Sequence, residues 1–452
     1  MDELCILSLN CWGLYIVSKQ RQFRLKAIAE AIHQSAYDIV TLQEVWVQKD
    51  FEYIKNINSI NLPYAKYFHS GALGSGLVIL SKYPIIFTHY HQYTLAGRPL
   101  KVFHGDYYVG KGVGSACIEH PIIGTLEVFT THLHAGYGKL DEYKGHRITE
   151  SWELANIIRN SIAHNRQVIL TGDFNSTPTS HNYLLLKQHA FMVDSWFQMN
   201  LDLNLVEPQY TDELDFIQKL GITCNSSLNT WSKYHNKSSF TGDRLDYIFY
   251  FQTPQLQCIS SSVTFIDYIN SDNDQLKSSF SDHFGVKSIF KLMQKNDHYQ
   301  QQLNDYDNNS NNNMIFPSLL NNPTYTLLSL STVQALIYIL QEEHFKIQQN
   351  YKQLLSLFIF LLCSIIILYI IQVVLPYKLY STANIIIWLL PIFTGLLLIA
   401  CSALAIICLV VGFVFGFGES QSMYQFILDL QTLLQGIQLR NKRNASLTID
   451  DM

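Results

Sequence analysis

The sequence predicts a layered α/β domain followed by two C-terminal transmembrane helices, and three observations carry that prediction. Up to about residue 291, strand-like apolar runs alternate with helical patterns. A polar, Asn-rich stretch then interrupts the chain. Beyond it lie two long uncharged runs, 354–375 and 384–418.

The strand-like runs are, in order, CILSLN, DIVTLQ, GLVILS, TLEVFTTHL, QVILTGDFN, DYIFYF and VKSIF. Between them, RQFRLKAIAEAIHQ and TESWELANIIRNSIAHN carry helical spacing. The folded domain is expected over 1–293. Residues 296–322, NDHYQQQLNDYDNNSNNNMIFPSLLNN, are too poor in aliphatics to bury a face, so 294–331 reads as a linker. Val333, Leu336, Ile337, Leu340 and Phe345 recur at helical spacing and predict an amphipathic helix over 332–353. At about 1.5 Å per residue, the run 354–375 crosses a hydrocarbon layer of about 30 Å. The second run exceeds one span, and its helix is placed near 392–415, just after Pro391. The two spans thus occupy 354–417, leaving 418–452 as a tail.

Composition agrees with an anchored protein. Of the 452 residues, 15% are charged and 48% hydrophobic, against about 25% charged in ordinary soluble domains. This composition argues against a uniformly soluble enzyme. The net charge of −5 and sequence pI of 6.3 argue against a nucleic-acid partner, which normally demands a basic domain. The N-terminal MDELCILSLNCW has no basic or long apolar leader region, so no cleaved signal peptide is expected. Cysteines at 5, 11, 117, 224, 258, 363, 401 and 408 form no CxxC pair, which suits reduced, dispersed thiols rather than zinc or disulfides. Lys346 and Lys352 before the first span, and Arg440, Lys442 and Arg443 after the second, outnumber Lys378 in the connecting loop. The positive-inside bias then places both termini in the cytosol, with the endoplasmic reticulum as the expected membrane.

Polar clusters sit where strands end. Asn10 follows CILSL, Gln43-Glu44 follows DIVTL, Thr131-His132 follows LEVFT, and Gly172-Asp173-Phe174-Asn175 follows QVILT. Ser281-Asp282-His283 precedes VKSIF, and Gly242-Asp243-Arg244-Leu245-Asp246-Tyr247 opens DYIFYF. In layered α/β proteins such ends converge on one edge. Carboxylates, amides and imidazoles without a nucleophilic serine elbow or a Walker loop suit metal-assisted hydrolysis of a phosphoester. An Mg²⁺ ion takes one or two protein carboxylates and keeps room for phosphate and water, a need that Glu44 and Asn10 meet.

The ordered set LNCWG, LQEVW, THLHA, GDFNSTP, DRLDYIF and SDHFGV resembles the endonuclease/exonuclease/phosphatase superfamily, and within it the neutral sphingomyelinase and inositol phosphosphingolipid phospholipase C branch. The resemblance covers about residues 4–291 and extends to two C-terminal spans. It implies a four-layered α/β sandwich. The segment GDYYVGKGVGSACI resembles that branch's phosphate-loop-like stretch, with Asp106 and Lys111 in the places that serve activity and substrate binding. GKGVGS lacks the Walker order, so no nucleotide site is implied.

Carried over by position, the resemblance implies that Glu44 binds Mg²⁺, or Mn²⁺ in its place, with Asn10 beside it. His283 becomes the general base and Asp246 its orienting carboxylate. Asp173 and Asn175 hold the water and the phosphoryl oxygens, while His132 meets developing negative charge. Asp282 touches the metal through water or fixes its turn, and His134 lies just outside the reacting groups. Asp243 helps the chain enter its strand, and Arg244 either anchors a phosphate or pairs with an acid. The implied reaction is attack by water on a ceramide phosphodiester, releasing ceramide and a phosphorylated headgroup, with phosphocholine and phosphoinositol left open. The implied partners are a sphingolipid in its bilayer and anionic phospholipids near Arg440, Lys442 and Arg443. A nuclease, an inositol polyphosphate phosphatase and a catalytically silent membrane scaffold are the competing readings.

Overall fold

The computed structural model describes residues 2–137, 141–200, 210–235, 239–270, 277–294, 328–379 and 385–450, with the side chains of 270, 375–379, 385–388 and 443–450 excepted. Most of the expected linker, from 295 to 327, lies outside the described residues, as do the side chains of Lys378 and Arg443. The chain divides into two compact units, Met1–Gly97 with His104–Leu328, and Arg98–Phe103 with Ser329–Met452.

Two six-stranded sheets and a two-stranded one, β12-β13, hold the strands of the first unit. The strands are β1 Glu3–Asn10, β2 Ile39–Gln43, β3 Tyr64–Tyr67, β4 Val78–Ser81, β5 Ile85–Gln92, β6 Gly112–His120, β7 Gly124–His132, β8 Gln167–Asp173, β9 Val193–Asp194, β10 Asp246–Tyr250, β11 Leu256–Thr264, β12 Tyr268–Asn270, β13 Lys277–Ser279 and β14 Gly285–Leu292. One sheet runs β11-β14-β1-β2-β4-β3, the other β5-β6-β7-β8-β10-β9. Side-chain alternation builds the layers. On β1, Leu4 and Ile6 face the second sheet, while Leu7 and Leu9 face outward. The inward residues meet Ala116, Val128, Ile169 and Phe249 in one core. The outward ones pack with Val40 and Leu42 against Leu25, Ile28 and Ile32 of the helix Arg21–His33 and against Phe51 and Ile54 of Gln48–Ile57. On the far side, Leu154, Ala155 and Ile158 of the helix Lys144–Ala163 join the core of the second sheet. Helix, sheet, sheet and helix are the four layers expected.

The same alternation decides what reaches the site. Asn10 shares the inward face of β1 with Leu4 and Ile6, and Asp173 shares its face of β8 with Ile169. Strand register then aligns three site residues in a row: Asp173 pairs with His132 across the parallel β7–β8 ladder and with Asp246 across the antiparallel β8–β10 ladder. The stretch resembling a phosphate loop is a short helical turn, Asp106–Val109, leading directly into β6.

The second unit is helical. Leu330–Leu379 is one 50-residue helix, so the segment expected as a separate amphipathic helix over 332–353 is continuous with the first span. The second helix runs Ile385–Leu409 and contains Pro391, so it starts seven residues upstream of the expected Ile392. Membrane helices tolerate such a proline more readily than soluble ones. A π-type turn, Val410–Gly416, joins it to Phe417–Asp450, so the expected tail is helical too. Two of the helical segments are long and apolar enough to cross a membrane, Leu330–Val374 and Leu389–Lys442. They meet through Leu361, Ala405 and Cys408, flanked by Leu354, Phe358, Ile365 and Cys401. Arg98 belongs to this unit and donates from Nε to Glu419 Oε1 at 2.9 Å.

Candidate active site

Every residue singled out at the strand ends is buried or nearly so, and the structure brings them together at one end of the sandwich. Asn10, the last residue of β1, donates from Nδ2 to Glu44 Oε1 and to Asp173 Oδ2, both at 3.0 Å. Its Oδ1 accepts the Trp12 amide at 3.0 Å. Glu44 follows β2 with φ at 58°, a left-handed conformation that costs a non-glycine residue about 1 kcal/mol or more. The strained turn aims the carboxylate back to Asn10, and Trp46 Nε1 donates to its second oxygen at 3.4 Å.

A histidine and two carboxylates form the centre. His283 Nδ1 lies 2.8 Å from Asp246 Oδ2, and its Nε2 lies 3.8 Å from Asp173 Oδ2. Asp173 Oδ2 is also 3.5 Å from His132 Nε2, while Oδ1 accepts the Asn175 amide at 2.9 Å. Asn175, itself left-handed at φ 46°, donates to the Leu133 carbonyl at 3.0 Å. That carbonyl also accepts Lys111 Nζ at 2.8 Å, and Lys111 pairs with Asp106 at 2.9 Å. His134 Nε2 stands 3.7 Å from the other Asp106 oxygen. The Asp106–Lys111 pair is therefore a buried brace reaching the site through one peptide group.

Electrostatics separates the two central histidines. Burial alone would lower His283, but Asp246, Cys224 and Asp173 outweigh it and hold the imidazole well above its ordinary value. His132 moves well below, through burial first and then through Lys111 and His283. It is the neutral imidazole of the site. Three carboxyls are pushed up: Glu44 by burial and Asp282, Asp173 to about 7 by burial and Asp246, and Asp282 by burial. Asp106 moves down, because Lys111 and His134 overcome its burial.

A centre that raises three carboxyls is short of positive charge, which a divalent cation would supply. Asp173, Asp246 and His283 place ligand atoms within 4.8 Å of one another, a group able to hold such an ion. The donor set thus fits a metal. Within that group Nδ1 of His283 is already engaged by Asp246, which leaves Nε2 facing Asp173.

Two neighbours resolve into scaffolding. Arg244 donates to Asp194 Oδ2 at 2.6 Å and lies over the rings of Trp196 and Tyr247 at 4.7 and 4.9 Å. Of its two expected roles it takes the pairing one. Asp243 accepts Asn225 Nδ2 at 2.8 Å and bridges by its backbone to Cys224. Three contributors went unread in the sequence. Thr223 Oγ1 accepts the Asp246 amide at 3.2 Å. Glu150, fully buried and pushed up to about 8 by burial, accepts the His134 amide at 2.9 Å. Arg24, also fully buried, donates to the carbonyls of Cys11, Trp12, Lys19 and Phe280 at 2.7–3.0 Å. No local pattern signals these roles, since each is set by distant backbone groups.

Fold and site together define a metal-competent, histidine-containing α/β sandwich. The endonuclease/exonuclease/phosphatase family signature matches residues 7–283, and the chain belongs to that family. It is 38% identical over 296 residues to the inositol phosphosphingolipids phospholipase C of Schizosaccharomyces pombe, covering 64% of this chain and 69% of that one. The Saccharomyces cerevisiae protein of the same name is 33% identical over 64% of each chain. Sphingomyelin phosphodiesterase 2 of Homo sapiens is 38% identical over 43% of this chain and 46% of its own length.

Proposed function

We propose that this chain is a membrane-anchored, metal-dependent phosphodiesterase of phospholipase C type that hydrolyses sphingomyelin or an inositol phosphosphingolipid to ceramide and a phosphorylated headgroup. The observation that carries the reading is the His283–Asp246 pair facing Asp173, Asn10 and Glu44 within one buried edge. The names of the fungal and human relatives supply the substrate class.

In this mechanism Glu44, with Asn10 beside it and Asp173 bonded to the same Asn10 amide, would hold Mg²⁺, or Mn²⁺ in its place, leaving His283 free to act as the base. When bound, the ion supplies Lewis-acid charge to the phosphoryl oxygens and to the departing alkoxide. With Nδ1 held by Asp246, His283 presents Nε2 to the attacking water and takes its proton. Asp246 then stabilises the imidazolium. Asp173 orients the water, and Asn175 Nδ2 and the neutral His132 offer hydrogen bonds to the phosphate. Water is the nucleophile, so no covalent enzyme intermediate arises. The Asp106–Lys111 brace fixes the Leu133 peptide that positions Asn175. Asp282 adds negative charge beside Glu44.

A two-chain lipid stays in its bilayer, which accounts for the two spans. Positive-inside bias supports cytosolic termini, and the endoplasmic reticulum is the membrane proposed. Arg440 and Lys442 each add about 1 kcal/mol of attraction to anionic headgroups. The testing experiment is headgroup release by detergent-solubilised full chain from micelles of sphingomyelin or inositol phosphorylceramide, with Mg²⁺ or EDTA. Metal-dependent release from one lipid is the expected result, and it selects the headgroup. Release from neither, with turnover of abasic DNA or inositol phosphates, would remove the sphingolipid assignment.

A further inference from the structure

Three consecutive apolar residues stand out of the first unit five to seven positions after Asn10. Tyr15, Ile16 and Val17 are 65, 89 and 64% exposed. Single exposed apolar side chains are ordinary, but three adjacent ones at a loop tip are not. Nor is the loop a loose end. Its base is stapled on both sides by Arg24, which donates to the Cys11 and Trp12 carbonyls before the tip and to the Lys19 carbonyl after it. The Ser18 amide closes the turn on the Leu14 carbonyl at 3.1 Å. Gly13, between the site and the tip, donates to the Glu44 carbonyl at 3.0 Å and sits where a Cβ would meet that oxygen at 2.3 Å. The tip is therefore presented rigidly from the edge that carries Asn10 and Glu44.

Behind the tip the surface turns polar. An open depression of about 570 Å³ is lined by Tyr15, Gln20, Arg21, Gln22 and Phe23. Lys19, next to Gln20 in the chain, is exposed, while Arg21 in the lining pairs with Asp50 and lies over the Tyr15 ring. An apolar tip with a cationic and amide shoulder matches the interfacial zone of a bilayer, where aliphatic groups enter the acyl boundary and cations meet headgroup phosphates. A protein partner would gain nothing from the nearness to Asn10, whereas a lipid surface would gain entry of one molecule into the site.

Resting on the proposed lipid substrate, we infer that Tyr15-Ile16-Val17 is a membrane-docking loop that enters the bilayer surface and draws a phospholipid headgroup toward the Asn10–Glu44 edge. The spans keep the protein in the membrane, and the loop governs how the site engages it. Ile16 and Val17 touch no group assigned to the reaction, so their loss should affect catalysis at a bilayer and not catalysis on a dispersed molecule.

The test compares wild type with an Ile16→Asp/Val17→Asp variant of the full chain on two substrates. One is the phosphosphingolipid in phosphatidylcholine proteoliposomes, the other a short-chain analogue below its micelle concentration. Roughly tenfold slower turnover on vesicles, with short-chain turnover within about twofold of wild type, is the expected result. Equal vesicle rates, or an equal loss on both substrates, would overturn the docking loop. If wild type hydrolyses neither substrate, the failure lies with the functional reading. Quenching of an Ile16→Trp variant by brominated phosphatidylcholine then decides the loop: added quenching over wild type supports it, and none refutes it.

Discussion

The two units handle polarity in opposite ways. In the sandwich, aliphatic side chains such as Leu7, Leu9 and Ile169 are fully buried, and charged or titratable groups such as Arg24, Lys111, Glu150, Asp173, Asp246 and His283 are buried among them with partners. In the helical unit, Phe360, Ile366, Leu396 and Ile406 are 60–65% exposed along segments without charge. Each arrangement would be costly in the other's surroundings. Buried carboxylates cost several kcal/mol apiece unless something compensates them, and exposed aliphatic belts would aggregate in water. The contrast therefore separates two purposes: chemistry where charge is buried, and anchorage where apolar surface is bare.

The sharpest way to break that contrast is to remove the base. His283→Ala should lower headgroup release by about 10³-fold or more while the sandwich still melts cooperatively, at a lower midpoint because Asp246 loses its buried partner, as a turnover assay paired with a melting curve would record. Wild-type turnover would reassign the buried edge to structure. Asp246→Asn should cost about 10²-fold or more and also shift the pH profile. His283 must be deprotonated to act, so activity falls as pH drops through its raised pKa. Asp246 contributes to that rise, so its removal should move the acid limb to lower pH.

In the helical unit, Leu396→Asp with Ile406→Asp should each cost about 2.5–3.5 kcal/mol of insertion. The expected outcome is loss of the second span, read as a C-terminal tail moved to the opposite side of the membrane in a protease-protection assay, while the first span still holds the chain. An unchanged protection pattern would mean that these faces do not meet lipid. The smallest effect concerns Glu150. Its folded-state carboxyl holds its proton up to about 8, against 4.5 as the ordinary value. The folded state therefore loses stability relative to the unfolded one as pH climbs between those values. Glu150→Gln cannot ionise, so its melting temperature should exceed wild type by a margin that grows across that window, and a constant difference would contradict the burial argument.

Much of this organisation was legible in the sequence because it is periodic or terminal. Short apolar runs mark β1, β2 and β8, and a polar residue at the end of an apolar strand falls on a shared edge, which places Asn10, Glu44 and Asp173. What escaped is what acts at a distance. Arg24 is one of several cations near the start of a helix, yet it binds the carbonyl of Phe280, 256 residues away. Thr223 and Glu150 likewise work through backbone groups of other elements. The helix boundaries erred for a related reason. Pro391 reads as a breaker in water, but it lies within the second helix, where bilayer surroundings favour continued backbone bonding.

The central claim is that a water activated by His283 attacks phosphorus and expels the ceramide alkoxide. Hydrolysis in ¹⁸O-labelled water, with mass analysis of both products, tests it most directly. The account predicts one heavy oxygen in the phosphorylated headgroup and none in ceramide. Label in the ceramide hydroxyl, or release of free headgroup alcohol with ceramide phosphate, would contradict it.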